Sequence, residues 1–231
     1  MKHVLISGGN AGLGLEVAKL LLKKDYAVTI LSKDAGKLEK VKAEINSPNL
    51  EILPCDLRSY AEIKKAAESI KQLDMLINCA GIIAYKKLDE HDPQNIKDII
   101  DTNLLGTIFL TRELLPIFKE QKSGLIMNVS STSGLPTGGH PEECAYVASK
   151  YGVTGFTETL KKEMVEDGKG IRVLGFYPGG MNTDLFSKAG LAKNTSNFMD
   201  PKEIAEIIVF IIERPDSINM DHVVVNRNKG A

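Results

Sequence analysis

Seven short apolar runs alternate with stretches of helical periodicity along the whole of this 231-residue chain. HVLIS (3–7), AVTILS (27–32), LEILP (50–54), MLINC (75–79), LIMNVS (125–130), IRVLGFY (171–177) and HVVVN (222–226) are rich in Val, Ile and Leu. Gly, Pro, Asn or Asp bound them, which is the signature of buried strands. Between them Leu13, Val17, Leu20, Leu21 and Lys24 keep the three-four spacing of one helix face, and Ile63, Ala66, Ala67 and Ile70 repeat it. Ile96, Ile99, Ile100, Asn103, Leu104 and Thr107 begin a longer helix expected to run to Leu115, before Pro116. Further helices are expected from Ala145 to Val165 and from Pro201, a favourable first residue after Asp200, to Glu213. Strand, helix, strand in this rhythm implies right-handed crossovers and a parallel sheet covered on both faces. The expected fold is therefore α/β: a doubly wound, Rossmann-type, seven-stranded parallel sheet in a single domain over residues 1–231.

No linker, repeat or low-complexity tract divides the chain. The one long stretch without strong periodicity is 182–200, NTDLFSKAGLAKNTSNFMD, and a loop of that length in a compact domain reads as a lid over a site. With 29 basic and 30 acidic residues the net charge is −1, which gives no general attraction to nucleic acid or anionic lipid. No apolar run approaches the roughly 20 residues that span a bilayer. The apolar part of MKHVLISGG is too short for a secretory signal. Three cysteines without paired spacing suit a reducing compartment, so a cytoplasmic protein is expected, and the four histidines lack the spacing of a metal site.

The first strand runs straight into Ser7-Gly8-Gly9-Asn10-Ala11-Gly12-Leu13-Gly14 and then into a helix. Glycines there let a backbone approach a ligand closely, and the helix start offers free N–H groups and the positive end of a dipole. Together they make a place for a dinucleotide pyrophosphate, although Val17 stands where the G-x-G-x-x-G fingerprint needs its third glycine. The end of the second strand should meet the adenosine ribose, where an acidic residue favours NAD and a basic one NADP. Ser32 and Lys33 favour NADP(H). NAD(H) stays possible, with Asp34 one place beyond as the ribose ligand.

In ECAYVASKYG (143–152), Tyr146 and Lys150 lie four apart, on one face of a helix. The pair is either a chance surface juxtaposition or a base tuned by its neighbour. A free tyrosine titrates near 10. Lowering it by roughly three units takes about 4 kcal/mol, which an ammonium about 4 Å away supplies at an effective dielectric near 20.

Several motifs taken together resemble the short-chain dehydrogenase/reductase family over essentially the whole chain. Residues 7–14 resemble its T-G-x-x-x-G-x-G turn, with Ser7 in the threonine place. Asp56 and Leu57 follow Cys55 where the family contacts adenine. Asn78-Cys79-Ala80-Gly81 is similar to its N-N-A-G segment. Asn103 matches a helix asparagine used in a proton relay, Ser131 the catalytic serine, and Tyr146 with Lys150 the Y-x-x-x-K pair. Pro178, Gly179 and Thr183 resemble the segment that holds the nicotinamide amide. The chain departs from the family in having Cys79 for the second asparagine, Ala11 rather than a basic residue before Gly12, and HVVVNRNKGA where members that reduce acyl-carrier-bound ketones often carry aspartate-glycine-glycine.

The resemblance implies hydride transfer between nicotinamide and a carbonyl or secondary alcohol carbon. Tyr146 would be the acid/base and Ser131 the donor to the reacting oxygen. Lys150 would tune the tyrosine and grip the ribose, and Asn103 would return the proton through water. Substrate choice falls to Tyr85, to residues 133–143 and to the 183–199 segment with Leu185, Phe186, Leu191, Phe198 and Met199. His140, Glu142 and Glu143 could line the entrance, with a solvated loop as the favoured reading, and Cys144 reads as a packing residue. By the same resemblance the long helices would pair copies into a homodimer or homotetramer acting on a small carbonyl or alcohol. The alternatives are a non-catalytic dinucleotide-binding sensor or scaffold, which would be expected to lose Ser131, Tyr146 or Lys150, and a sugar epimerase, which needs a larger C-terminal substrate domain.

Overall fold

The computed structural model describes residues 1–136, 138–168, 170–185, 189, 195 and 197–228. Its seven strands are β1 (His3–Ser7), β2 (Ala27–Ser32), β3 (Leu50–Pro54), β4 (Met75–Asn78), β5 (Gly124–Val129), β6 (Ile171–Pro178) and β7 (His222–Val225). All pair in parallel, in the order β3-β2-β1-β4-β5-β6-β7. The helices are α1 (Gly12–Leu22), α2 (Ala35–Ile45), α3 (Tyr60–Ser69), α4 (Pro93–Ile100), α5 (Gly106–Gln121), α6 (Cys144–Glu166) and α7 (Pro201–Ile212). This is the doubly wound architecture that the alternation implies.

Each strand sends successive side chains to opposite faces, and both faces are buried. Val4, Ile6 and Ile30 pack against Val17, Leu21, Leu38 and Ile208 from α1, α2 and α7. Leu5, Leu31, Leu76 and Ile126 pack on the other side against Ile63, Leu110, Phe118 and Leu160 from α3, α5 and α6. Continuous apolar strands, rather than alternating ones, follow directly from this double coverage.

The helix expected to stop before Pro116 instead continues through it to Gln121. Leu114 and Phe118 on either side are buried, whereas Pro116 and Arg112 are exposed. The carbonyl that the proline leaves without a donor therefore faces water, and core packing outweighs the missing bond. Between α4 and α5, residues Asp101–Leu105 form a single π turn around Asn103. Elsewhere local chemistry acts as expected: Asp200 accepts from the Lys202 N–H at 2.9 Å and Pro201 opens α7.

Sheet order reverses between β1 and β4, so crossovers leave in opposite directions there and a crevice opens beyond the strand ends. Ser7 pairs with Asn78 across that boundary, and Asn128 lies beside Asn78 on β5. Among the described residues no helix is long and apolar enough to cross a membrane.

Candidate functional site

A cleft of about 750 Å³ lies over this reversal. Its floor on one side is the turn after β1. Gly8 has φ +72°, and a Cβ there would stand 2.7 Å from the Ala80 Cα; one on Gly14 would stand 2.6 Å from the Gly8 carbonyl oxygen. The turn is thus closed to side chains because two backbones meet. The Ser7 hydroxyl locks them, accepting from the N–H groups of Cys79 (3.1 Å) and Ala80 (3.2 Å). Ala11 gives α1 no side-chain cap, and Gly12, Leu13 and Gly14 at the start of the helix line the cleft wall.

Most residues singled out by the sequence come together here. Gly8, Asn10, Gly12, Leu13, Gly14, Ser32, Lys33, Asp56, Leu57, Ala80, Gly81, Ser131, Tyr146, Lys150, Pro178, Gly179 and Thr183 all line the cleft. Ser7, Asn78 and Asn103 do not; they are buried beneath it and hold its parts in place. Asn78 donates to Thr111 Oγ1 at 2.9 Å and to Asn128 Oδ1 at 2.8 Å, and Asn128 donates in turn to Thr157 Oγ1 at 2.9 Å. That chain ties β4 and β5 to α5 and α6. Asn103 accepts from the Ile82 N–H (2.8 Å) and donates to the Ile82 carbonyl (2.9 Å) and to Ser149 Oγ (3.0 Å). A Cβ on Gly81 would lie 3.5 Å from Asn103 Oδ1 and 3.6 Å from Lys150 Nζ, so those two groups flank the same glycine.

At the end of the cleft beside β2, Asp34 is itself part of the lining. Its Oδ1 accepts from the Lys37 N–H at 2.9 Å and caps α2. Lys37, in the first turn of α2, lines the cleft with Lys33. Asp56 accepts from Arg58 through Nε (3.0 Å) and Nη2 (2.6 Å), and these bonds hold its carboxyl below the usual range.

At the other end stand Tyr146 and Lys150, one helical turn apart on α6 and both buried. The Lys150 Nζ lies 5.7 Å from the centroid of the Tyr146 ring and donates to the Val129 carbonyl at 2.9 Å. Ser130 Oγ donates to the Lys150 carbonyl at 3.0 Å, anchoring α6 to the end of β5. The Ser131 hydroxyl accepts from the Ser133 N–H at 3.1 Å and lines the cleft beside Tyr146. Burial pushes the tyrosine up to about 12, with the nearby serine hydroxyl acting against it, and pushes the lysine down to about 8. The sequence argument has the opposite sign for Tyr146. It counts the ammonium but not the loss of water, and loss of water dominates.

Two further readings change. Glu143, expected in a solvated loop, is 7 % exposed and lines the cleft, while Cys144, expected to pack, is exposed. In the 182–200 segment Leu185 and Phe198 line the cleft. Its base is clamped by a parallel bridge from Met181 to Met199, with the Asn182 N–H donating to the Met199 carbonyl at 2.9 Å. Phe186 and Leu191 lie outside the described residues. Among those described, no group of three His, Cys, Asp or Glu side chains is placed to hold a metal ion.

Relatives agree with this architecture. The chain is 26% identical over 225 residues to an uncharacterised oxidoreductase of Staphylococcus haemolyticus, covering 96% of this chain and 95% of that one. A second uncharacterised oxidoreductase, from Staphylococcus aureus, is 27% identical over 228 residues, with 97% and 96% covered. Among solved structures, the closed form of serine dehydrogenase complexed with NADP+ superposes with a TM-score of 0.89 at 24% identity, covering 99% of this chain and 98% of that one. The 3-ketoacyl-(acyl-carrier-protein) reductase from Brucella melitensis complexed with NADH gives 0.86 at 26% identity, with 97% and 96% covered. The short chain dehydrogenase family model matches residues 2–194, and the chain belongs to that family.

Proposed function

We propose that this protein transfers hydride between NADP(H) and the carbonyl or secondary alcohol carbon of a small molecule, with Tyr146 as acid and base. The observation that carries the reading is that buried Tyr146, Lys150 and Ser131 line the same cleft as the glycine turn. A nicotinamide dinucleotide fits the residues present. Side chains are excluded where the turn meets Ala80, the uncapped start of α1 faces the cleft, and relatives of the fold hold NADP+ and NADH. When bound, the nicotinamide supplies or accepts the hydride.

The side chains would do the rest. With its phenol pushed up to about 12, Tyr146 keeps its proton at neutral pH and is ready to protonate the oxygen of a carbonyl substrate. Ser131 donates to the same oxygen, a bond that strengthens as negative charge develops. Lys150, held between the Val129 carbonyl and the tyrosine ring, sets the positive potential beneath that oxygen. Asn103 fixes the Gly81–Ile82 peptide against Ser149 and so shapes the wall beside the lysine. Lys33 and Lys37, which line the cleft beyond the end of β2, support NADP(H) over NAD(H). Residues 182–200 would act as the lid, hinged on the bridge between Met181 and Met199.

The test is NADPH consumption over a panel of ketones, aldehydes and quinones, with NADH in parallel. Tyr146→Phe should lower kcat by about 10²–10⁴-fold, the range for loss of a positioned acid. A variant with undiminished turnover would end the role given to Tyr146, and a wild type that consumes neither cofactor on any of the panel would favour a non-catalytic dinucleotide binder.

A further inference from the structure

Three residues before Tyr146, the cleft carries a buried carboxylate that the chemistry above leaves unused. Ser133 Oγ donates to Glu143 Oε2 at 3.2 Å and the His140 N–H donates to the same oxygen at 3.2 Å, while Tyr85, whose phenol is raised by burial and then by this carboxylate, lines the cleft nearby. These donors are neutral. They satisfy hydrogen bonds without cancelling the charge, and a carboxylate has about four acceptor sites, so one more donor can be received. Buried charges are ordinarily paired. Here no such pair exists: among the described ion pairs, the neighbouring His140 engages Glu142 and none engages Glu143. The lysines that line the cleft stand elsewhere. Lys150 is bonded to the Val129 carbonyl, and Lys33 and Lys37 sit beyond the end of β2. That strand is three places from β5, or about 14 Å at the usual strand spacing.

The carboxylate is also close to the reacting groups. Glu143 bonds Ser133, whose N–H donates to Ser131 Oγ, and Ser131 lines the same cleft as Tyr146, three residues after Glu143. A substrate oxygen held by Ser131 and Tyr146 therefore lies one residue away from an uncompensated negative charge. We propose that Glu143 is a specificity-determining residue that receives a protonated amine on the substrate, and that the natural substrates are amino alcohols or amino ketones with the ammonium a few bonds from the reacting carbon. The proposal rests on the oxidoreductase reading above and adds the substrate class to it. A purely structural carboxylate would brace residues 139–143 against Ser133 and treat charged and neutral substrates alike.

A matched pair of ligands separates the two: a vicinal aminobutanol, and the methylbutanol in which a methyl group replaces the ammonium. Bound to the wild-type protein with NADP+, the amine should have a Kd lower by at least about tenfold, the least that a charge-assisted hydrogen bond contributes. Equal affinities would overturn the proposal whether or not any variant folds. In Glu143→Gln the ratio of kcat/KM for the two alcohols should shift toward the neutral one by about tenfold or more. A fall shared equally by both would mark Glu143 as a brace only and also overturn it. Tyr146→Phe keeps the two hypotheses apart: it should lose turnover yet retain the binding preference for the amine. If that variant still turned over substrate, the acid–base assignment would fail while the preference for amines stood on its own measurement.

Discussion

Lys150 holds an ammonium 5 % exposed beneath the sheet's edge, and burial lowers it from 10.5 to about 8. A lysine depressed in the fold takes up fewer protons than the unfolded chain between those two values, so stability should rise with pH across that window. Below about 8 both states are protonated and the whole penalty, about 3 kcal/mol for a shift of this size, opposes folding. Cys79, which burial raises to about 11, and Tyr146, raised to about 12, contribute the reverse slope at higher pH, because their folded forms hold protons that the unfolded chain releases. Comparison with Lys150→Met isolates the lysine. Denaturant titrations between pH 7 and 9 should show wild type gaining on the variant as pH rises, and parallel curves would mean that the ammonium is solvated. At this scale the spacing of Tyr146 and Lys150 was legible, because four residues is a turn of helix whatever surrounds it. The sign of the tyrosine's shift and the burial of Glu143 were not. Both depend on depth beneath the surface, which residue spacing does not carry.

Helix ends show how a side chain is assigned by the element that claims it. Asp34, a candidate ribose ligand in the sequence, lines the cleft in the fold, and its Oδ1 also receives the Lys37 N–H and starts α2, which buries only Leu38 and Val41. A helix with so little packing depends on its cap, and Asp34→Ala should lower stability by about 1 kcal/mol. The measurement is a lower urea midpoint with an unchanged slope, and an unmoved midpoint would show that the cap contributes nothing. Strands and most helices were legible because periods of two and 3.6 are written in the apolar residues. The run of α5 past Pro116 was not. Whether a proline ends a helix depends on whether the freed carbonyl meets water and whether the next turn finds a core, and here Phe118 does. Nor does any periodicity announce the π turn that carries Asn103, a local widening of the kind found at functional sites.

Over the whole molecule, the order of the strands decides where a ligand can bind. Because the sheet turns back between β1 and β4, the cleft is walled by α1 and the end of β2 on one side and by β5, β6 and α6 on the other. A dinucleotide lying along it would contact both halves of the sheet at once, so its binding energy would be linked to global unfolding rather than to one loop. At a hundred times its Kd such a ligand adds about 2.7 kcal/mol to stability. For a chain of this size that raises Tm by about 5–10 °C, at 2–4 °C per kcal/mol. On the proposed cofactor preference, NADPH should raise the melting temperature more than NADH at equal concentration, since Lys33 and Lys37 line the end where a 2′-phosphate would sit. Changing both lysines to alanine should lower the NADPH shift to that of NADH while leaving the NADH shift in place. A larger shift with NADH in the wild type would assign the cofactor the other way, and no shift with either would remove the dinucleotide from the cleft.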